Sequence, residues 1–80
     1  MRLPRDVSGA DLAKLLQVYG YETTRQSGSH MRLTTSVAGE HHITIPAHDP
    51  LKLGTLRAIL DRVSQHHGMS REALTAQLFT

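Results

Sequence analysis

The sequence predicts an α+β domain of order αβββα(α), two layers in which a three-stranded antiparallel sheet carries its helices on one face. Three observations predict it. Leu12, Leu15, Leu16 and Tyr19 recur at helical spacing near the start of the chain. Three runs of β type follow, joined by short turns that contain glycine. The spacing then returns to helical with Leu53, Leu56, Ile59, Leu60 and Val63. A helical stripe and the apolar face of a meander each need a partner to leave water, so stacking one on the other is the natural solution.

The elements follow in order. Ser8 is placed to cap the first helix, its hydroxyl accepting from the amide of Asp11, with Val7 and Leu12 at the two positions of a hydrophobic staple. Asp11 faces the positive end of that helix, which spans Ser8 to Tyr19 before Gly20 ends it. Tyr21 to Gln26 is the first strand, Ser27-Gly28 a turn, and His30 to Thr35 the returning strand. Alternation puts Met31, Leu33 and Thr35 on one face and His30, Arg32 and Thr34 on the other, so burying the first set exposes His30 with Arg32. Ser36 to Glu40 makes a second turn, and His41 to Ile45 a third strand whose Ile43 and Ile45 point inward. Pro46 ends that strand, and Ala47 to Lys52 connects it to a helix that begins near Gly54 or Thr55 and runs to about His66, stopped by Gly68. Ser70 caps a short last helix over 70–79, with Met69 and Leu74 as its staple.

Size and composition narrow the classes. Eighty residues make one domain, residues 1–80, with a core region over 7–67 and the last helix appended. With no cysteine, disulfides and thiolate metal sites are excluded, and a reducing cytoplasm is the expected setting. No apolar run is long enough for a membrane span, and Met1-Arg2-Leu3-Pro4-Arg5 lacks a hydrophobic signal core, so a soluble, unprocessed chain is expected. The formal charge is only +2, so any attraction to a polyanion must come from how the charges are arranged.

The residues that suggest chemistry centre on Gly28-Ser29-His30. A histidine titrates close to neutral pH, and one at the start of a hairpin strand is held while a ring nitrogen stays open to a substrate. Gly28 lets the backbone approach a phosphate, Ser29 can donate to one, and Arg25, Arg32, Lys52 and Arg57 lie near the turn in chain order. Arg57 has a plain alternative, an i, i+4 ion pair with Asp61. His41 and His42 point to opposite faces of a strand and cannot easily share an ion, and His66-His67 reads as a frayed helix end, so no metal site is expected. Tyr19, Tyr21 and Phe79 read as core, which leaves no stacking strip for single bases. Without further information a non-catalytic RNA-binding module remains an alternative, as does a protein whose basic face meets an acidic partner.

Taken together, Ser8-Gly9, Tyr21, Arg25, Gly28-Ser29-His30, Ile43-Thr44-Ile45-Pro46 leading to His48, and Gly54-Thr55-Leu56-Arg57 resemble the HicA-type, or YcfA-like, toxins of bacterial toxin-antitoxin pairs. The resemblance runs from Val7 to about Leu78. It implies a fold similar to a double-stranded RNA-binding domain, cleavage of mRNA without a cofactor, inhibition of translation, and neutralisation by a HicB-like antitoxin. It also implies that His30 is catalytic. Many members carry a second histidine where this chain has Met31, which leaves the general acid open between His42 and His48. The segment Arg62 to Gly68 is longer than in typical members, so the last helix is expected to be displaced.

Overall fold

The computed structural model describes residues 3–79. Its first helix, α1 (Gly9–Leu15), is capped as expected, the Asp11 amide donating to Ser8 Oγ at 3.0 Å. The expected single helix to Tyr19 changes character part-way: Leu16–Tyr19 is a 3-10 turn closed by Gly20. Tightening of this kind satisfies the last carbonyls of a short helix. Three strands follow, β1 (Glu22–Ser27), β2 (His30–Thr35) and β3 (His41–Pro46), and they pair antiparallel in the order β1-β2-β3. β3 runs one residue past the expected end, with Pro46 opposite His30, and a proline is tolerated at that terminal position because the next amide takes up the bonding. Helices α2 (Leu53–His66) and α3 (Arg71–Leu78) complete the order; Ser70 Oγ accepts from the Ala73 amide at 3.0 Å.

Helices α1 and α2 bury their stripes against one face of the sheet, and α3 packs against α2. Leu12 and Leu16 from α1 and its 3-10 turn, Leu56, Leu60 and Val63 from α2, and Leu74 from α3 meet Leu33, Ile43 and Ile45 in one core, with Tyr21 fully buried among them. Thr35 is buried with them, as are the polar Ser64 and Thr75. The Thr35 hydroxyl donates to the Tyr19 carbonyl at 2.8 Å and accepts from the Val37 amide at 3.1 Å, which ties the end of the first helix to the β2–β3 turn. The molecule therefore has two distinct ends. One holds the β1–β2 turn, the start of α1 and the connection into α2; the other holds the β2–β3 turn, Tyr19 and the end of α2. No helix among the described residues is long and apolar enough to cross a membrane.

Candidate functional site

The face of the sheet turned away from the helices is laid out in cross-strand rows. Ser27, His30 and Pro46 form the first, and Arg25, Arg32 and Thr44 the second. Thr24 is an extra residue that shifts the β1 register, and its hydroxyl lies 2.9 Å from that of Thr34, beside His42. The alternation read from β2 holds, for Met31, Leu33 and Thr35 are buried while His30 and Arg32 are exposed. Arg25 and Arg32 stand directly opposite each other, one step from His30 along the strand, about 7 Å at the usual rise.

The turn that positions His30 is short because of Gly28. Its φ of 57° is the left-handed region that a first turn residue adopts in a two-residue hairpin loop, and Ser29 completes the turn. The turn is also tied from behind. The Ala47 amide donates to the Ser29 carbonyl at 2.6 Å, the Gly9 amide to the His48 carbonyl at 2.9 Å, and the Leu51 amide to the Val7 carbonyl at 2.8 Å. Gly9 allows this close approach: a Cβ there would collide with the Pro46 carbonyl oxygen and lie 3.0 Å from its carbonyl carbon. The start of α1 thus presses on the 46–48 segment, which in turn holds the histidine turn.

The other residues singled out from the sequence do not all gather here. His42 is opposite Thr34, four residues along β2 from His30 and so about 13 Å away. Its ring is occupied, with Nδ1 2.8 Å from Thr34 Oγ1 and Nε2 2.8 Å from Glu40 Oε2. His48 lies at the same end as His30, in the segment that ties down Ser29. Lys52 is the exposed residue before α2, and Arg57 sits one turn into it, on the helical layer rather than the open face. The Arg57–Asp61 pair weighed as an alternative is not formed, because Asp61 takes Arg71 instead, Nη1 donating to both carboxylate oxygens at 3.3 Å. Arg57 shares a groove with Arg5 and Arg71, two residues with no signal in the local sequence that joins them to it.

His66 and His67, expected to fray, are engaged at the far end. His66 Nε2 lies 3.0 Å from the carbonyl oxygens of both Val37 and Gly39, so that nitrogen carries the proton and donates. Its ring stacks on that of His41, centroids 4.3 Å apart. The Tyr21 hydroxyl lies 2.8 Å from His41 Nδ1 and 3.3 Å from His67 Nε2, one proton-bearing group shared between two imidazoles. Burial pushes the Tyr21 phenol up to about 12, against the opposing charge of Arg62, so the hydroxyl keeps its proton. Burial lowers His41, helped by the charges of His66, Arg62, His67 and His42; burial and then His66 lower His67. No group of three potential ligands is placed to hold a metal ion among the described residues.

This geometry sits on a chain whose residues 9–65 match the family described as the HicA toxin of bacterial toxin-antitoxin pairs. The chain belongs to the HicA toxin family. No curated protein and no solved structure matches it. As a HicA member it is the toxin of a toxin-antitoxin pair, with a cognate antitoxin as its partner. The matched segment contains the whole sheet, the histidine turn and nearly all of α2, whereas Arg5, His66, His67 and α3 lie outside it.

Proposed function

We propose that this toxin is a metal-independent endoribonuclease that cleaves mRNA in the cytoplasm and so inhibits translation, with His30 as general acid/base and a HicB-like antitoxin as its neutraliser. The observation that carries the reading is the pair of adjoining rows on the open face. An exposed imidazole on a short, tethered hairpin stands one step from two guanidiniums that face each other. Like charges directly opposite on a sheet are destabilising, and a phosphate between Arg25 and Arg32 offsets that cost.

In the reaction, His30 takes the proton of a ribose 2′-hydroxyl as its oxygen attacks the adjacent phosphorus. The bond from phosphorus to the 5′-oxygen breaks, and that oxygen leaves as a hydroxyl after receiving a proton. The other product ends in a 2′,3′-cyclic phosphate. Arg25 and Arg32 hold the phosphate and stabilise its developing charge, while Gly28 and Ser29 allow the backbone and a hydroxyl to come close. Lys52, further round, extends contact to a neighbouring phosphate, whereas Arg57, weighed from the sequence for the same role, stands on the helical layer and takes no part in this reading. Of the two histidines weighed for protonating the leaving oxygen, position favours His48, since His42 is about 13 Å along the sheet.

The test is cleavage of a long single-stranded RNA in the presence of a chelator. His30→Ala, at an exposed position, is expected to keep the fold and lose about 10²–10⁴-fold in rate, with the wild-type products ending in cyclic phosphate. His48→Ala is expected to slow cleavage far more than His42→Ala. Equal cutting by wild type and His30→Ala removes His30 from the mechanism. Binding of RNA with no cutting by either protein favours a non-catalytic RNA-binding module.

A further inference from the structure

The groove that takes Arg57 away from the open face is lined by three arginines from three separate segments. Arg5 comes from the chain leading into α1, Arg57 from the second turn of α2, and Arg71 from the first turn of α3. Together they border a cavity of about 250 Å³. Arg71 is fixed by Asp61 through two hydrogen bonds. Among the described residues, neither Arg5 nor Arg57 forms an ion pair. Two unmatched guanidiniums beside one cavity repel each other, and a carboxylate bound between them in the forked geometry that arginine favours removes that repulsion.

We propose that this groove receives an acidic side chain of the cognate antitoxin and helps the toxin tell that partner from others. The proposal rests on membership of the toxin family and is independent of the ribonuclease reading. Three features favour a protein carboxylate over an RNA strand. Leu3 and Leu53 give the cavity apolar walls, suited to the methylenes of a glutamate. Glu72 also borders it, and its carboxylate opposes a continuous run of phosphates while leaving room for a single acid to be matched. The groove lies on the helical layer, on the other side of the sheet from Arg25 and Arg32. Arg5 and Arg71 fall outside the segment matched to the family while Arg57 lies within it, so two of the three arginines are additions to the shared core. Partner discrimination calls for that kind of variable contact, because a charge on one toxin that meets no acid on the wrong antitoxin is left uncompensated.

The experiment follows the arginine Nε–H signals of the intact protein by nuclear magnetic resonance during titration with a hexaglutamate peptide and, separately, with a single-stranded oligoadenylate. The peptide is expected to shift Arg5, Arg57 and Arg71, with an affinity about tenfold weaker in an Arg5→Gln, Arg57→Gln double variant. The oligoadenylate is expected to shift Arg25 and Arg32 and to leave Arg5 in place. In the toxin–antitoxin complex, Arg5→Glu is expected to weaken association by about tenfold or more. The proposal is overturned if the peptide leaves Arg5 and Arg57 unmoved, if the oligoadenylate displaces it from the groove, or if Arg5→Glu leaves antitoxin affinity unchanged. Each of these outcomes is read without measuring cleavage, so a failure of the ribonuclease reading does not produce them.

Discussion

Two single residues carry much of the site's precision. His30 is the reactive group of the proposed cleavage, and its direction follows from strand alternation, since neighbours on a strand face opposite sides and the apolar set must be buried. Gly9 acts by having no side chain. Any Cβ at that position strikes the Pro46 carbonyl, and the segment it would displace is the one bonded to the histidine turn. Gly9→Ala is therefore expected to lower the melting temperature by at least about 5 °C, from an overpacking cost of about 1–3 kcal/mol. Gly54→Ala is the matched control, because a Cβ there meets nothing within 4 Å and the helix gains about 0.5–1 kcal/mol of propensity. Thermal unfolding of the two variants beside wild type decides the matter; equal effects mean that the close approach at Gly9 is not tight in solution.

At the scale of elements, the end of α2 is expected to respond to acid. His66 clasps the β2–β3 turn, and His41 and His67 share the Tyr21 hydroxyl. Both His41 and His67 are lowered in the folded state, so the unfolded chain takes up protons first as the pH falls. Their contribution to stability is fully present above the ordinary histidine value, about 6.5, and is lost as the pH drops from there through the folded values. Protonating both rings turns each into a donor toward Tyr21, leaving the phenol proton without an acceptor in a buried place. Urea midpoints are expected to fall between about pH 7.5 and 5.5. His67→Phe keeps the aromatic packing against Tyr19 and Tyr21, and it is expected to flatten that dependence. An unaltered slope in the variant assigns the acid sensitivity to other groups.

At the scale of the whole molecule, eighty residues leave little stability to spare, about 4–12 kcal/mol for a domain of this length. Helix α3 lies beyond the segment matched to the family, yet Leu74 is fully buried and Leu78 nearly so in the common core. Removing the chain after Gly68 withdraws both from the apolar face of α2, a loss of about 3–6 kcal/mol. Such a truncation is expected to unfold at much lower urea or to lose cooperative unfolding, as followed by circular dichroism. A truncated chain with the wild-type midpoint shows that α3 is an accessory. The longer segment before α3, read from the sequence as displacing that helix, ends with α3 docked and its arginine paired to Asp61.

Reading along the chain alone determined the order of elements, the two serine caps, the hairpin turn and the face on which His30 stands, because each depends on neighbours within a few residues: periodicity, a capping hydroxyl, or a glycine at a turn. The resemblance carried by the histidine turn and the start of α2 was legible for the same reason. The end of the first helix and the fate of the histidines were not. Tyr21, His41, His66 and His67 meet only because α2 runs the length of the sheet and returns its last turn to the β2–β3 corner. The tertiary structure likewise decided that His42 stands far from His30, that Asp61 pairs with Arg71 rather than Arg57, and that Arg5 joins them at one groove. Those outcomes depend on how two layers dock, and docking is governed by the fit of whole apolar faces rather than by any local run of residues.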